Sequence, residues 1–363
     1  MRCNWSPSKF AARCSVLGQG RPLASSKLSK LPAKPMKRGT RHRPINSIVQ
    51  HFKPASPMSD MLSFQPSIAS PACEPEILAY GGAWQAALSL RLGLRRGRCV
   101  VLDQEHRGPL RLQKLLWPEG PNPAHAIVLH PPGGLASGDE LELSLELEPG
   151  AGLLMTTPGA AKWYRAQTPV RQAYRFKLAA QSSLEWLPQE TLVFEGAAIR
   201  ASTDWHLDEN AYAASMDILV FGRKESGESN IAADLHQSSS VYVNQQLLYR
   251  DPMQYVGRHT LNAAAVMAGK HVSGVLWLYS PLLRGRLATS SAERLDQALA
   301  SIEAANAFPG VLAGASCLGN GMLIVRSIGD DPESLRRHLQ QAWSLLRPWL
   351  NQTKTHMPRI WAT

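Results

Sequence analysis

The chain is predicted to be mainly β, in stacked antiparallel sheets with two helices near its C-terminus, and three observations predict it. Leu141, Leu143, Leu145 and Leu147 alternate with Glu140, Glu142, Ser144 and Glu146. Period two puts the leucines on one face and the polar groups on the other, as in an antiparallel sheet with one wet face. Many short apolar runs are separated by turn residues, the spacing of an all-β architecture. Helical periodicity begins only after Ser290.

The elements follow in order. Residues 84–92 open the fold, with Trp84, Ala86, Leu88, Leu90 and Leu92 on one face. Strands are expected at 99–102, 125–130 and 139–147. Glu148-Pro149-Gly150-Ala151-Gly152 then reads as a turn, and 153–157 as the return strand. The series continues at 173–178, 184–187, 191–194, 211–221, 240–243, 247–249 and 272–279. Asn244-Gln245 has the length of a two-residue hairpin turn. Residues 311–317 and 322–326 flank Gly319-Asn320-Gly321 as another hairpin. Ser290-Ser291-Ala292-Glu293 is a capping box ahead of Leu295, Leu299 and Ile302. The second helix takes Asp331 as N-cap and Pro332 in its first turn, with Leu335, Leu339, Ala342 and Leu346 on one stripe and Pro348 near its end. No repeat recurs at a fixed period.

The 363 residues carry a net charge of +11, and its placement is uneven. Residues 1–70 hold twelve Lys/Arg, one acid (Asp60) and eight prolines, and the rest of the chain is balanced. The expected organisation is a disordered basic extension at 1–75 and one folded domain at 76–363. A tail of this composition cannot bury enough apolar surface to offset the entropy of ordering it. It reads as a transit peptide, as a tether to nucleic acid or anionic lipid, or as an upstream extension with translation starting at Met58 or Met61; the last is favoured. A folded domain without net charge lacks the cationic footprint of a nucleic-acid-binding core. Cys3, Cys14, Cys73, Cys99 and Cys317 are odd in number, scattered and without a CxxC pair, which favours a reducing, cytoplasmic setting. No uncharged apolar run reaches the roughly 18 residues of a membrane helix, and no secretory apolar segment follows Met1.

Familiar enzyme motifs are absent: there is no GxxxxGK[ST], HExxH or GxGxxG, and Gly314-Ala315-Ser316-Cys317-Leu318 fails as a GxSxG elbow. The histidines show no HxH or HxxxH spacing, so no tight metal site is expected. Three dense features remain. His130-Pro131-Pro132-Gly133-Gly134 precedes Gly138-Asp139-Glu140; it either displays a carboxylate pair or turns a corner between strands, and the corner is favoured. Residues 156–165, TTPGAAKWYR, place Lys162, Trp163, Tyr164 and Arg165 beyond a turn, as an interface anchor or as core. Residues 216–223, MDILVFGR, put Asp217 in an apolar strand; it either pairs with a cation such as Arg223 or stands in a polar channel.

These motifs together, with EWLPQET at 185–191 and PRIWAT at 358–363, resemble the UreD (UreH) family of urease accessory proteins. Gly108-Pro109-Leu110, Gly314-Ala315-Ser316 and Arg347-Pro348 fall in order between them, so the likeness runs from about Trp84 to the end. Met216 and Lys224 depart from the family pattern, and 229–270 is its least faithful region.

The resemblance implies a mostly β, β-helix-like stack and a non-catalytic maturation factor, a chaperone of metallocentre assembly. It implies binding to apo-urease and to UreF, which recruits the GTPase UreG, with UreE supplying nickel upstream. It also implies nickel insertion through a water-filled tunnel. No tightly bound cofactor, nucleic acid or membrane partner is expected, only nickel in transit. A conduit must bind an ion weakly enough to release it. Asp139, Glu140, Asp217 and Glu228, with His130, are therefore the expected path-lining groups, and Lys162, Trp163, Arg165, Arg359 and Trp361 the expected partner-binding or locally docking ones. The other reading is a nucleic-acid- or membrane-tethered binding protein that uses the basic tail.

Overall fold

The computed structural model describes residues 83–362, apart from 229–230, 286, 288, 306–307 and 352–354. The extension expected at 1–75 lies outside the described residues. The chain begins with β1 (Gln85–Arg95), β2 (Arg98–Arg107), β3 (Arg111–Leu112), β4 (Ala124–Leu129), β5 (Glu140–Leu147) and β6 (Gly152–Thr156). It continues through β7 (Ala161–Trp163), β8 (Val170–Leu178), β9 (Ser183–Trp186), β10 (Thr191–Val193), β11 (Ala198–Leu207) and β12 (Tyr212–Phe221). Next come β13 (Asp234–Val243), β14 (Gln246–Val256), the short α1 (Arg258–Asn262) and β15 (Val272–Arg284). The last elements are α2 (Thr289–Ala304), β16 (Leu312–Cys317), β17 (Asn320–Gly329) and α3 (Pro332–Asn351).

The strands form two sheets. One has the order β14-β13-β11-β8-β5-β1-β2; the other runs β16-β17-β15-β12-β9-β6-β4-β3, with β10 pairing β12 and β7. Strands β1, β5, β8, β11 and β13 are parallel neighbours in the first sheet. Strands β4, β6, β9 and β12 are parallel neighbours in the second. The chain thus winds from β5 to β6, β8 to β9 and β11 to β12, one strand of each sheet per coil, which makes the middle a β-helix-like stack. Antiparallel β2 and β14 finish the first sheet, and β15, β17 and β16 extend the second.

The alternating segment at 139–147 is a strand, but its sheet is parallel at that point, and 153–157 is not its return strand. The turn after Leu147 carries the chain across to the other sheet, where β6 lies between β4 and β9. Asn122 holds this crossing: its Nδ2 donates to the Gly150 carbonyl at 3.0 Å, and its Oδ1 accepts the Gly152 N–H at 2.7 Å. The leucine row still faces a core and the carboxylates still face out, because side-chain alternation does not depend on strand direction. The Asn244-Gln245 hairpin is present, both residues having positive φ of 48° and 67°, as the twist of a two-residue turn requires.

Two apolar layers hold the stack. Ala213, Leu219 and Phe221 of β12 enter the core between the sheets, whereas Ala214, Met216, Ile218 and Val220 face a second core under α2 and α3. Burial on both faces is why β12 reads as an almost continuous apolar run. Helix α3 starts as expected, with the Ser334 N–H donating to Asp331 Oδ2 at 2.9 Å. Its Leu335 and Leu339 lie so close to β15 that a Cβ on Gly274 would stand 2.6 Å from a methyl of each.

Candidate functional site

Large apolar side chains such as Leu90, Phe176 and Trp205 fill the space between the sheets. At one level this filling stops. In the second sheet Asp217 of β12, Val275 of β15 and Arg326 of β17 stand on a single cross-strand rung. In the first sheet Tyr174, Thr203, Ser239 and Asp251 do the same across β8, β11, β13 and β14. All seven line one cavity of about 590 Å³ between the sheets, with Gln172, Gln237, Ser215 and Ser273 beside them and Trp163, Trp186 and Trp277 closing its apolar side.

Asp217 is the interior charge of this cavity. Among the described residues it has no ion-pair partner; the Gln237 side-chain N–H donates to its Oδ2. Burial pushes the Asp217 carboxyl up to about 6, the nearby Asp251 charge adds to the rise, and the Gln237 hydrogen bond only partly offsets it. The same environment raises the Tyr174 phenol above its usual range, through burial first and Asp217 second. Gln237 Oε1 is buried and accepts no hydrogen bond among the described residues. A carboxylate without a counter-cation beside an unpaired carbonyl oxygen is a destabilising arrangement in a core, and both atoms are oxygen donors of the kind divalent cations accept.

The second charge pair stands nearer solvent. Arg326 Nη2 donates to Asp251 Oδ1 and to the Tyr249 hydroxyl, both at 2.8 Å. Arg326 is 53 % exposed and Asp251 16 %. Burial works against the Arg326 charge, but Asp251 and Tyr249 outweigh it and hold its pKa above the usual value.

The other expected path residues lie elsewhere. Asp139 is buried, with Oδ1 accepting the Trp84 N–H at 2.8 Å and Oδ2 the Ala136 N–H at 2.7 Å, so it staples the loop before β5 to the start of β1. Glu140 opens β5 and meets Gln85 Nε2 at 3.4 Å. His130 is half-buried; burial lowers its pKa and the Asp139 charge opposes that. Glu228 takes the Arg223 guanidinium at 2.9 and 2.5 Å, which leaves Asp217 without that partner. Only Asp217 of the five reaches the cavity. Among the described residues no three His, Cys, Asp or Glu converge as a metal site.

The motifs do converge at one end of the stack. Leu135, after the Pro-Pro-Gly-Gly loop, exchanges backbone hydrogen bonds with Lys162 and Tyr164, and a Cβ on Gly134 would stand 2.5 Å from the Tyr164 ring. β7 pairs with β10 and β10 with β12, so Trp163, Val193 and Phe221 align. The Tyr164 ring meets Phe194 edge-on at 5.0 Å, and Arg223 lies over Phe194 at 4.5 Å. Trp163 is buried and walls the cavity, whereas Arg165 is exposed and Lys162 half-buried. At the C-terminus Arg359 is exposed, while Trp361 docks: its Nε1 donates to Thr156 Oγ1 at 3.0 Å and its ring meets Trp343 at 5.8 Å.

One buried network was not foreseen. Arg347, 0 % exposed, donates to Glu185 at 2.8–3.1 Å and to Glu119 at 2.7 and 2.9 Å. Trp343 Nε1 donates to Glu185 at 2.6 Å, and His125 Nε2 lies 2.6 Å from Glu119. Glu185 and Arg347 both sit inside motifs; what the motifs do not reveal is that the two residues face each other.

Known proteins bear on this arrangement. The family described as "UreD urease accessory protein" matches residues 85–362. The chain is 37% identical over 283 residues to a protein named urease accessory protein UreD from Methylobacillus flagellatus, covering 77% of this chain and 95% of that one. Proteins of the same name from Cupriavidus metallidurans and Delftia acidovorans are 35% and 36% identical, over 80% and 82% of this chain and 98% of each relative. Among the described residues no helix is long and apolar enough to cross a membrane.

Proposed function

The chain belongs to the UreD family of urease accessory proteins, and from that membership we propose that it is a non-catalytic scaffold of urease maturation which binds apo-urease and passes nickel(II) through its inter-sheet cavity. The observation that carries the reading is Asp217: a carboxylate inside a polar cavity, with the carbonyl oxygen of Gln237 beside it. Nickel(II) is held firmly by clustered imidazole and thiolate. A passage needs sites that admit the ion and then release it. A carboxylate and neutral oxygens of Gln237, Ser239 and Thr203 offer such weak, successive contacts. Above about pH 6 the Asp217 carboxylate is ionised and attracts the cation; below it, the protonated group does not.

In this reading the protein works in the cytoplasm beside UreF and UreG, and the nucleotide chemistry belongs to the latter. The joined motif patch at one end of the stack, with Arg165, Arg223, Tyr164 and Phe194, together with Arg359, supplies arginines and aromatic neighbours of the type enriched in interfaces, and Lys162 adds a further cation beside them. The test is complementation of a urease operon that lacks its UreD gene. Full activation, and co-purification with apo-urease, are expected from the full chain and from a chain without residues 1–57. Activation that needs the tail although the truncated chain folds would favour the tethered-binder reading instead.

A further inference from the structure

Where the exposed Arg326 lines the cavity, the wall has an unusual construction, and we take this stretch as the mouth. On β14, Tyr249, Asp251, Met253 and Tyr255 alternate with outward residues; Tyr255 belongs to the inter-sheet core, and Tyr249 and Met253 pack against it. On β17 the corresponding row is Met322, Ile324, Arg326 and Ile328, again with all but the charged member in or against that core. Each row therefore contains one charge, and the two charges meet across the gap between the sheets at 2.8 Å. An inward charge costs desolvation unless it is paired, and an apolar side chain at either position would continue its row without that cost.

We propose that Arg326 is the gate of this cavity: its guanidinium, paired with Asp251, stands across the mouth, and a divalent cation passes when Arg326 swings into solvent and leaves Asp251 as a transient oxygen ligand. The inference rests on the nickel-passage reading above. Arg326 shares its rung with Asp217, with Val275 between them. Two strand spacings put their Cα atoms roughly 10 Å apart. A cation leaving Asp217 along that rung meets Arg326 next. The guanidinium repels it; Asp251 cancels that charge. Because Arg326 is more than half exposed, its guanidinium reaches water by a side-chain movement alone, and the arriving cation takes its place as the partner of Asp251, so the gate opens without rearranging either sheet. The charge of the mouth, set by these two residues, governs the rate of passage.

The test follows nickel(II) appearing in urease over time, in purified complexes of the full chain with its accessory partners and apo-urease. Asp251→Asn leaves the Arg326 charge uncancelled and is expected to slow loading on the order of tenfold, an effect that shrinks with added salt. Arg326→Gln is expected to speed loading, and the double variant to return it close to the native rate. A merely structural ion pair is also rescued by removing its second partner, so Arg326→Gln discriminates: the gate predicts faster loading than native, whereas slower loading by Arg326→Gln marks a structural pair and overturns the gate. Native-rate loading by Asp251→Asn, or a double variant as slow as Asp251→Asn alone, overturns the gate. Asp217→Asn separates the two readings: if it loads slowly while Asp251→Asn is normal, the passage stands and the gate falls; if both load normally, both fall.

Discussion

Arg347 and Glu185 lie 162 positions apart in the chain and meet with neither exposed to solvent, the Arg347 Nε and Nη2 groups both donating to the Glu185 carboxylate. The contact fastens α3 to β9 and hence the helical layer to the coil stack. Glu119 accepts from the Nη1 and Nη2 groups of the same guanidinium, and Trp343, one turn earlier on α3, gives Glu185 a further N–H. Such a pair adds little over an apolar core, but its half-removal leaves a buried charge without compensation.

Arg347→Met therefore strands two carboxylates. It is expected to lower the unfolding free energy by about 3–5 kcal/mol, read as a shifted urea midpoint at pH 7. A loss below about 1 kcal/mol would show that the network is dispensable.

The same network sets an acid limit. Burial works to raise the Glu119 pKa, but hydrogen bonds from His125 and Arg347 outweigh it and hold the carboxyl below its ordinary value. A carboxyl lowered on folding contributes stability above its unfolded-state pKa, and that contribution is lost as pH falls through the folded-state value. Stability should thus decline on acidification, and Glu119→Gln should flatten that decline. Urea titrations at several pH values compare the two slopes.

Asp217 acts in the opposite sense. Its carboxyl is raised to about 6, so the folded state disfavours the charged form, and the cost is present above that pH and relieved as pH falls toward the unfolded-state value. Asp217→Asn should stabilise the fold at pH 7 by about 1–3 kcal/mol. A thermal midpoint that falls at pH 7 would mean that the carboxylate supports the fold.

Docking of Trp361 on Thr156 and Trp343 predicts that truncation after Met357 costs about 1–2 kcal/mol, from one hydrogen bond and one aromatic pair. If the truncated chain keeps its stability yet loses apo-urease in a pull-down, the segment serves the partner and not the fold.

Much of the framework was legible in the chain because local patterns carried it. The Leu141–Leu147 alternation, the Asn244-Gln245 turn and the Asp331 cap each depend on neighbours in sequence. Strand direction was not legible: a period of two marks a face, and only the turn after Leu147 decides whether the chain folds back or crosses over. The cavity was hidden for a related reason. Its polar lining interrupts the apolar rows, so β13 was foreseen only from Ser240 although it begins at Asp234, and Gln237 and Ser239 fell outside it. Asp217 was noticeable as a lone acid in an apolar run, whereas Asp251 and Arg326 acquire meaning only when two sheets oppose them. Asp139 shows the converse: a motif carboxylate whose oxygens both serve backbone N–H groups.

The central claim is that the carboxylate of Asp217 helps to pass nickel(II) while the scaffold binds its partners. Nickel per active site, measured in urease purified from cells carrying Asp217→Asn, tests it most directly when co-purification of the variant with apo-urease is confirmed in parallel. The account predicts assembled complexes whose urease is depleted of nickel. Assembled complexes with fully loaded urease would contradict it.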